Sequence, residues 1–554
     1  MTSESNQDAI IIGCGFAGIY STYVLHNKLN YKTRTFEMSD QPGGVWNWNR
    51  YPGARVDHMS KEYCFKFDEN LYNEWNWSEI YSPQPELKAY AEHLLRRYNL
   101  RPHIQFSSRL ANAKWDEENS RWSAEFVVTK PDGTIEEQKW TGRHLILATG
   151  CLSAPNKPKF AGLEDYVAAG GKVYHTGEWP REGVDFTGQK VAIIGTGSSG
   201  VQSTPEIAAQ ASSLHVFQRT PVYTAPAYNR KVTDAERDEY RKRLHELVAA
   251  TMQQPGGFAA HLDGITPPTM SADFNGNKEK IMQRFEDCWK SGGFAFYGSF
   301  IDLILSPDCA KLATEFYHNK IKSLVKDPKT AENLCPDYPP GCKRMCVDTN
   351  YYVTYNLPHV HLVAGLKERP LKVVGGKDKF IELEDGSKYG PFDAIVLATG
   401  FDAMTGTLAK INITGRNGIT LKDAWAAGPV NYLGLFIHGF PNMYHLAGPG
   451  SPSVLTMMIH QIEQQVEWIE EALKKMDAKG LKTIEATEEA QNGWVGFSNM
   501  AASMTLLNSC NSWYLGANVP GKPRVFMPFV PGMVAYRQKC NEVLEKDFEG
   551  LITA

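Results

Sequence analysis

A chain of 554 residues is too long for one hydrophobic core and points to two or three domains. Its composition is that of an ordinary globular protein, and 58 Lys and Arg against 62 Asp and Glu leave too balanced a charge to favour nucleic acid or an anionic membrane. No run of about 18 apolar residues offers a membrane span, and the polar start (Thr2 to Asp8) lacks the basic-then-apolar pattern of a secretory signal, so a cytoplasmic protein is expected.

In chain order, "DAIIIGCGFAGIYSTYVL" reads as an apolar strand, a glycine turn and an amphipathic helix. That context lifts Gly13-x-Gly15-x-x-Gly18 above a chance match. The glycines permit a tight turn and close approach of backbone to a pyrophosphate, which the helix N-terminus attracts. "KTRTFEMSD" supplies a second strand ending at Glu37, a carboxylate suited to a ribose hydroxyl.

The unit recurs in "QKVAIIGTGSSGVQSTPEIA", with Gly195-x-Gly197-x-x-Gly200, followed by the strand "LHVFQRTP". Glu37 follows Gly13 by 24 residues, and Arg219 follows Gly195 by the same 24. An anion suits a free 2′-hydroxyl and repels a 2′-phosphate, whereas a guanidinium suits the phosphate. The first turn is therefore expected to hold FAD and the second NADPH.

The strands "HLILATG" and "AIVLATG" bracket the second unit, as though the chain leaves one domain, builds another and returns. The expected boundaries are 1–150 and 392–554 for an FAD-binding domain, 151–227 and 334–391 for an NADP-binding domain, and 228–333 for a helical insertion. "LCPDYPPGCKRMCVD" reads as a loop and "SVLTMMIHQIEQQVEWIEEALKKM" as a long amphipathic helix. The ten cysteines are scattered. Cys335, Cys342 and Cys346 match no zinc spacing, so no metal is expected, and all ten are read as reduced thiols.

"QPGGVWNWNRYPGARVDHMSKEYCF" should lie along a flavin. Trp48 is read equally as core or as cofactor wall. Asp57 in so aromatic a setting needs a cationic partner or ligand contacts. Arg344, from a distant loop, is a candidate, although Lys343-Arg344 as a bare dipeptide more often forms a solvated surface pair. In "GGKVYHTGEWP", the residues alone favour an exposed His175 and a buried Trp179.

Taken together, "GGVWNWNRYPGARVD", "YHTGEWP", "GTGSSGVQ", "FQRTP", "CKR", "ATGFDAMTG" and "GPGSPS" resemble a type I, flavin-dependent Baeyer–Villiger monooxygenase across nearly the whole chain. The motifs are nearest to the phenylacetone and steroid monooxygenase branch. The family fingerprint Phe-x-Gly-x-x-x-His-x-x-x-Trp is matched by Gly171, His175 and Trp179, with Ala169 at the Phe position.

The resemblance implies an α/β fold with two Rossmann-like dinucleotide-binding domains. The NADP domain is inserted in the FAD domain and itself carries the helical insertion. It implies that NADPH and O2 serve insertion of one oxygen atom beside a ketone carbonyl, through a flavin C4a-peroxide, to give an ester or lactone, with sulfides also oxidised. It implies Arg344 and Asp57 as the catalytic pair. FAD contacts would be Gly13, Gly15, Ala17, Gly18, Glu37, Gly44, Val45, Trp46, Trp48, Asp57, Tyr63 and Leu110. NADP contacts would be Arg55, Val56, Asp57, Gly195, Thr196, Gly197, Ser198, Ser199, Gly200, Gln202, Arg219, Thr220, Lys343, Arg344 and Trp513. Gly171, His175 and Trp179 would serve a hinge between the domains. Ser451, Pro452, Val454, Leu455 and Met458 would border the substrate pocket.

Two other readings share the nucleotide motifs: an N- or S-oxygenating flavin monooxygenase, with no evident need for Arg344, and a non-catalytic redox-sensing flavoprotein. The ketone is not specified by the sequence. Nor is an oligomeric state, and a monomer is compatible with it.

Overall fold

The computed structural model describes residues 5–257 and 268–554; residues 258–267 of the expected insertion lie outside them. The strand Asn6–Ile12 sits between Thr33–Phe36 and Ile135–Leu147, parallel to both. Ala9, Ile10 and Ile11 are fully buried. A parallel strand covered on both faces needs a continuous apolar run, which is why "AIII" does not alternate.

Ile135–Leu147 serves two purposes. Its first half pairs antiparallel with Arg121–Thr129, and its last residues take Met443–His445 as a parallel neighbour. Asn412–Thr414 joins the same sheet beside Ser108–Asp116. The first nucleotide-binding domain is thus built from both ends of the chain.

The second sheet runs Val360–Val363, Ser213–Phe217, Lys190–Ile194, Ala394–Leu397, Lys172–His175, with every pairing parallel. The helix Ser198–Ala208 packs on one face through Val201 and Ile207. A small antiparallel ribbon, Leu371–Gly375 and Phe380–Leu383, covers the other through Val374, Ile381 and Leu383. The result is an α/β protein with two Rossmann-like domains, the second inserted in the first.

Between the two sheets the chain crosses twice, and the crossings lie side by side. Asn156 N–H donates to Gly400 O at 2.9 Å, and Asp402 N–H to Ala154 O at 2.8 Å. His175 is buried, contrary to the exposed position that the residues alone favour. Its Nδ1 accepts from Gly177 N–H at 3.0 Å, and its Nε2 lies 3.2 Å from both Asn156 O and Thr399 Oγ1. One imidazole therefore touches both crossings. Trp179 is 1% exposed, in the core of the second domain.

Within 228–333 the described residues form mainly helices, among them Lys278–Ser291 and Pro307–Leu324, which meet over Phe285, Phe296, Phe316 and Tyr317. The expected run "DAERDEYRKRLHELVAATM" breaks at Arg243 into Asp234–Lys242 and Leu244–Met252. The first piece buries nothing and carries its own Thr233/Glu236 capping box; the second buries Leu244 and Leu247. Two environments divide one periodic stretch. The expected loop holds over residues 335–345, but Leu334 closes the helix Pro328–Leu334 and Cys346–Asp348 pairs with Thr224–Pro226 as a short strand. The long C-terminal helix is Met458–Lys479, preceded by a tight turn at Ser453–Leu455.

Candidate active site

A continuous cleft of about 1830 Å³ joins the two glycine turns. That exceeds the 300–1,000 Å³ usual for one drug-sized ligand and is large enough for two dinucleotides. At each turn the first glycine has a positive φ, 106° at Gly13 and 110° at Gly195. A Cβ on the third glycine would come within 1.8 Å of Gly13 O at Gly18, and within 2.3 Å of Gly195 O at Gly200. These two glycines close the helix onto the turn and do not line the cleft. Gly13, Gly15, Ala17, Gly195, Thr196, Gly197, Ser198, Ser199 and Gln202 do line it.

The first-turn wall contains Glu37, Gly44, Val45, Trp46, Trp48, Tyr63 and Leu110. Trp48 is half-buried on this wall, while its neighbour Asn47 takes the core position. Glu37 is buried, which pushes its carboxyl up, but Cys14 N–H and Ser39 N–H donate to it at 2.7 and 2.8 Å. Trp46 Nε1 donates to Tyr63 Oη at 3.3 Å, fixing both rings.

"YPGAR" fastens the two domains together. Tyr51 Oη donates to Gln202 Oε1 at 2.8 Å, and Gln202 Nε2 donates to Arg55 O at 3.2 Å. Gly53 has φ +80°, and a Cβ there would lie 2.4 Å from Gln202 O, so the helix Ser198–Ala208 can approach only glycine. Arg55, Val56 and Asp57 follow along the cleft wall.

At the centre, Arg344 Nη2 lies 2.7 Å and Nε 2.9 Å from Asp57 Oδ2. Arg344 Nη1 donates to Val454 O at 2.5 Å, and the guanidinium sits 4.9 Å from the Phe294 ring centroid. Asp57 Oδ1 is 3.1 Å from His58 Nδ1. Burial pushes the Asp57 carboxyl up, but Arg344 and His58 outweigh it and hold the group well below the usual carboxylate range. Burial opposes the Arg344 charge, and Asp57 more than restores it. Lys343-Arg344 is not a surface pair: both residues are half-buried in the cleft wall.

Tyr297 brackets the arginine from the helical insertion. Its Oη accepts from Met345 N–H at 2.9 Å and donates to Lys343 O at 3.5 Å. Neither Tyr297 nor Phe294 is among the residues the sequence singled out. The aromatic run "GGFAFYGSF" in otherwise charged helical text was the available signal.

Farther along the cleft, Arg219, Thr220, Lys343 and Lys367 converge. Burial, then Arg219 and Lys367, lower the Lys343 ammonium to about 8. A cationic cluster facing one exposed partner, Asp337, fits a phosphate. Three wall residues also carry buried polar atoms without a protein partner: Thr149 Oγ1, Ser512 Oγ and Asn518 Oδ1. A Cβ on Gly197 would meet no atom within 4 Å, so the backbone there faces open cleft. Glycine cradles, unmatched acceptors and a cation cluster fit FAD at the first turn and NADP at the second.

Trp513 lines the cleft, as do Val454 and Met458. Ser451, Pro452 and Leu455 do not. Ser451 is fully buried, donating to Gly448 O at 2.6 Å and accepting from Gln461 Nε2 at 2.8 Å, and so shapes the loop from behind. Gly171, His175 and Trp179 also lie outside the wall. Gly171 is covered by the Tyr166 ring, which a Cβ would meet at 2.3 Å; Tyr166, not position 169, supplies the aromatic packing there.

The cysteines depart from expectation. Cys342 and Cys510 form a disulfide across 168 residues, joining the Lys343-Arg344 loop to the Trp513 loop. Neither spacing nor neighbouring residues mark a pair that only tertiary structure brings together. The other eight are free.

A family profile described as pyridine nucleotide-disulphide oxidoreductase matches residues 7–253. The chain is 36% identical over 553 residues to a Baeyer–Villiger monooxygenase of Pseudooceanicola batsensis, covering 100% of this chain and 97% of that one. It is 35% identical over 551 residues to a phenazine N-monooxygenase of Lysobacter antibioticus, covering 99% and 97%. An oxidised steroid monooxygenase bound to NADP superposes with a TM-score of 0.90 at 42% identity over 99% of both chains.

The chain belongs to the flavin-dependent Baeyer–Villiger monooxygenases. As such a monooxygenase it is an enzyme using FAD and NADPH. No helix among the described residues is long and apolar enough to cross a membrane.

Proposed function

We propose that this protein converts a ketone to an ester or lactone, consuming O2 and NADPH with one proton and releasing NADP+ and water. Bound FAD would carry the two electrons from NADPH to O2. The remaining work belongs to the chain. Arg344 presents a guanidinium, fixed by Asp57 and Val454 O, to the cleft, where negative charge developing on the transferred oxygen would be stabilised without reorganisation. Asp57 orients that guanidinium through two contacts to one oxygen, and His58 holds the other oxygen of the carboxylate. Arg219, Thr220 and Lys343 receive the 2′-phosphate, and Glu37 remains an acceptor for the flavin ribose. His175 couples the two crossings, as a hinge pin for domain movement.

The observation that carries this reading is the Arg344–Asp57 pair, set in the cleft that both glycine turns face. Cleft residues Leu152, Val454, Met458 and Trp513 give the surroundings an apolar lining suited to a hydrophobic ketone.

A second reading, oxygenation of nitrogen or sulfur, is favoured by the phenazine N-monooxygenase relative. One experiment separates the two. Purified enzyme, NADPH and air are given ketones, a tertiary amine and a sulfide, with products followed by mass spectrometry. Ester or lactone from at least one ketone supports the proposal. N-oxide or sulfoxide with no ester from any ketone overturns it in favour of the second reading.

A further inference from the structure

The segment from Leu506 to Met527 contains only two short turns, Leu506–Asn508 and Trp513–Leu515, yet it forms one wall of the cleft through Ser509, Ser512, Trp513, Asn518 and Arg524. Its near end is fastened where Leu506 N–H donates to Ile304 O at 2.8 Å. Its far end is fastened by Asn518 Nδ2 to Phe401 O at 2.7 Å and by Lys522 Nζ to Asp402 Oδ1 at 2.6 Å. Between those ends, the covalent tie is Cys510 to Cys342.

The position of that tie matters. Cys342 immediately precedes Lys343 and Arg344, and Cys510 lies three residues before Trp513. The cross-link thus joins the loop that carries Lys343 and Arg344 to the strap that forms the facing part of the cleft wall. Cys342 is fully buried, whereas Cys510 is half-exposed and lines the cleft, so a small thiol would approach the bond from the Cys510 side.

We propose that Cys342 and Cys510 are positioning residues for the coenzyme site. Their bond holds the Trp513 strap in register with Arg344, and opening it by thiol–disulfide exchange loosens the grip on NADP+. The inference rests on the assignment of NADP to this cleft. The exchange balances as one protein disulfide plus a small dithiol giving two protein thiols and the dithiol's own disulfide. The two electrons and two protons come from that dithiol. The physical cause is preorganisation: a strap tied covalently three residues before Trp513 spends less ordering entropy on binding than one without that tie.

The test compares the oxidised enzyme, enzyme treated with dithiothreitol under native conditions, and a Cys510→Ala variant. Thiol counting under denaturing conditions should find eight thiols before reduction and ten after. NADP+ affinity, read from tryptophan fluorescence, should weaken roughly tenfold in the reduced and variant enzymes, a change of about 1.4 kcal/mol. Anaerobic flavin reduction at saturating NADPH should stay unchanged, and reoxidation should restore affinity in the reduced wild type but not in the variant. Limited trypsin digestion after Arg524 should be faster once the bond is open.

Ten thiols in the untreated chain would overturn the proposal. So would an opened bond that leaves both NADP+ affinity and the tryptic rate unchanged. Oxidised enzyme that does not bind NADP+ would refute the cleft assignment instead, and the tryptic rates would still judge the brace.

Discussion

Asp57 Oδ2 receives both Nη2 and Nε of Arg344, at 2.7 and 2.9 Å, although 287 positions separate the two residues in the chain. Asp57 arrives on the loop that also docks the first domain onto the helix Ser198–Ala208, and Arg344 arrives on the loop that follows the helical insertion. Removing the carboxylate leaves a desolvated guanidinium. Fully buried pairs lose about 3–5 kcal/mol on such truncation. Both side chains here are 20–25% exposed to the cleft, so Asp57→Ala is expected to cost nearer ~2 kcal/mol. Chemical denaturation of wild type and variant measures this.

Arg219→Ala should weaken NADPH far more than NADH. A hydrogen bond to a charged group contributes about 1.5–3 kcal/mol, equivalent to roughly a ten- to hundredfold change in affinity. Titration of the variant with both coenzymes is the check, and equal losses would remove the phosphate from this corner of the cleft.

Lys343 gives that corner a pH dependence. Its ammonium titrates at about 8 because burial and the neighbouring Arg219 and Lys367 disfavour the charge. A bound phosphate favours the charge, so binding takes up a proton above that pH. NADP+ affinity should therefore be full below pH 8 and fall as pH rises through it, while NAD+ affinity stays flat. Isothermal titration across pH 6.5 to about 9.5 reads the slope, because an unperturbed lysine, near 10.4, stays charged over most of that range. Lys343→Met should flatten the NADP+ curve.

Gly171 presses against the Tyr166 ring. A methyl group at this position would lie 2.3–2.5 Å from three ring atoms, and Tyr166 is fully buried with Phe392 and Val374 around it. Gly171→Ala should therefore destabilise the enzyme by about 1–3 kcal/mol through overpacking. Adding Tyr166→Ala should relieve the clash, leaving the cost of the lost ring. Thermal melts of the single and double variants separate these terms.

Much of the fold was legible because its cause is local. Two apolar runs, each followed by a glycine turn and a helix, become parallel strands covered on both faces, and the exchange of Glu37 for Arg219 is plain at matched spacing. Arg344 was only a candidate partner for Asp57, since a Lys-Arg dipeptide on a loop is usually solvated. The family motifs, rather than periodicity, gave it a role.

What stayed hidden depends on tertiary contacts. Tyr297 reaches the backbone of Lys343 and Met345, on either side of Arg344, from the insertion, where only an aromatic run marks its neighbourhood. The Cys342–Cys510 pair needs two loops brought together across 168 residues. Ser451 reads as a pocket residue from its motif, yet its hydroxyl is consumed by Gly448 and Gln461. His175 reads as exposed, yet the crossings enclose it.

The role given to Arg344 is tested most directly by Arg344→Ala, assayed in two half-reactions. Flavin reduction by NADPH without air should proceed near the wild-type rate, because that step develops no oxygen-borne negative charge. Ester formation in air should fall by a factor on the order of 10²–10³, the usual loss when a preorganised donor is removed. A variant that still makes ester at the wild-type rate would show that the guanidinium held by Asp57 is not what sustains the oxygen transfer.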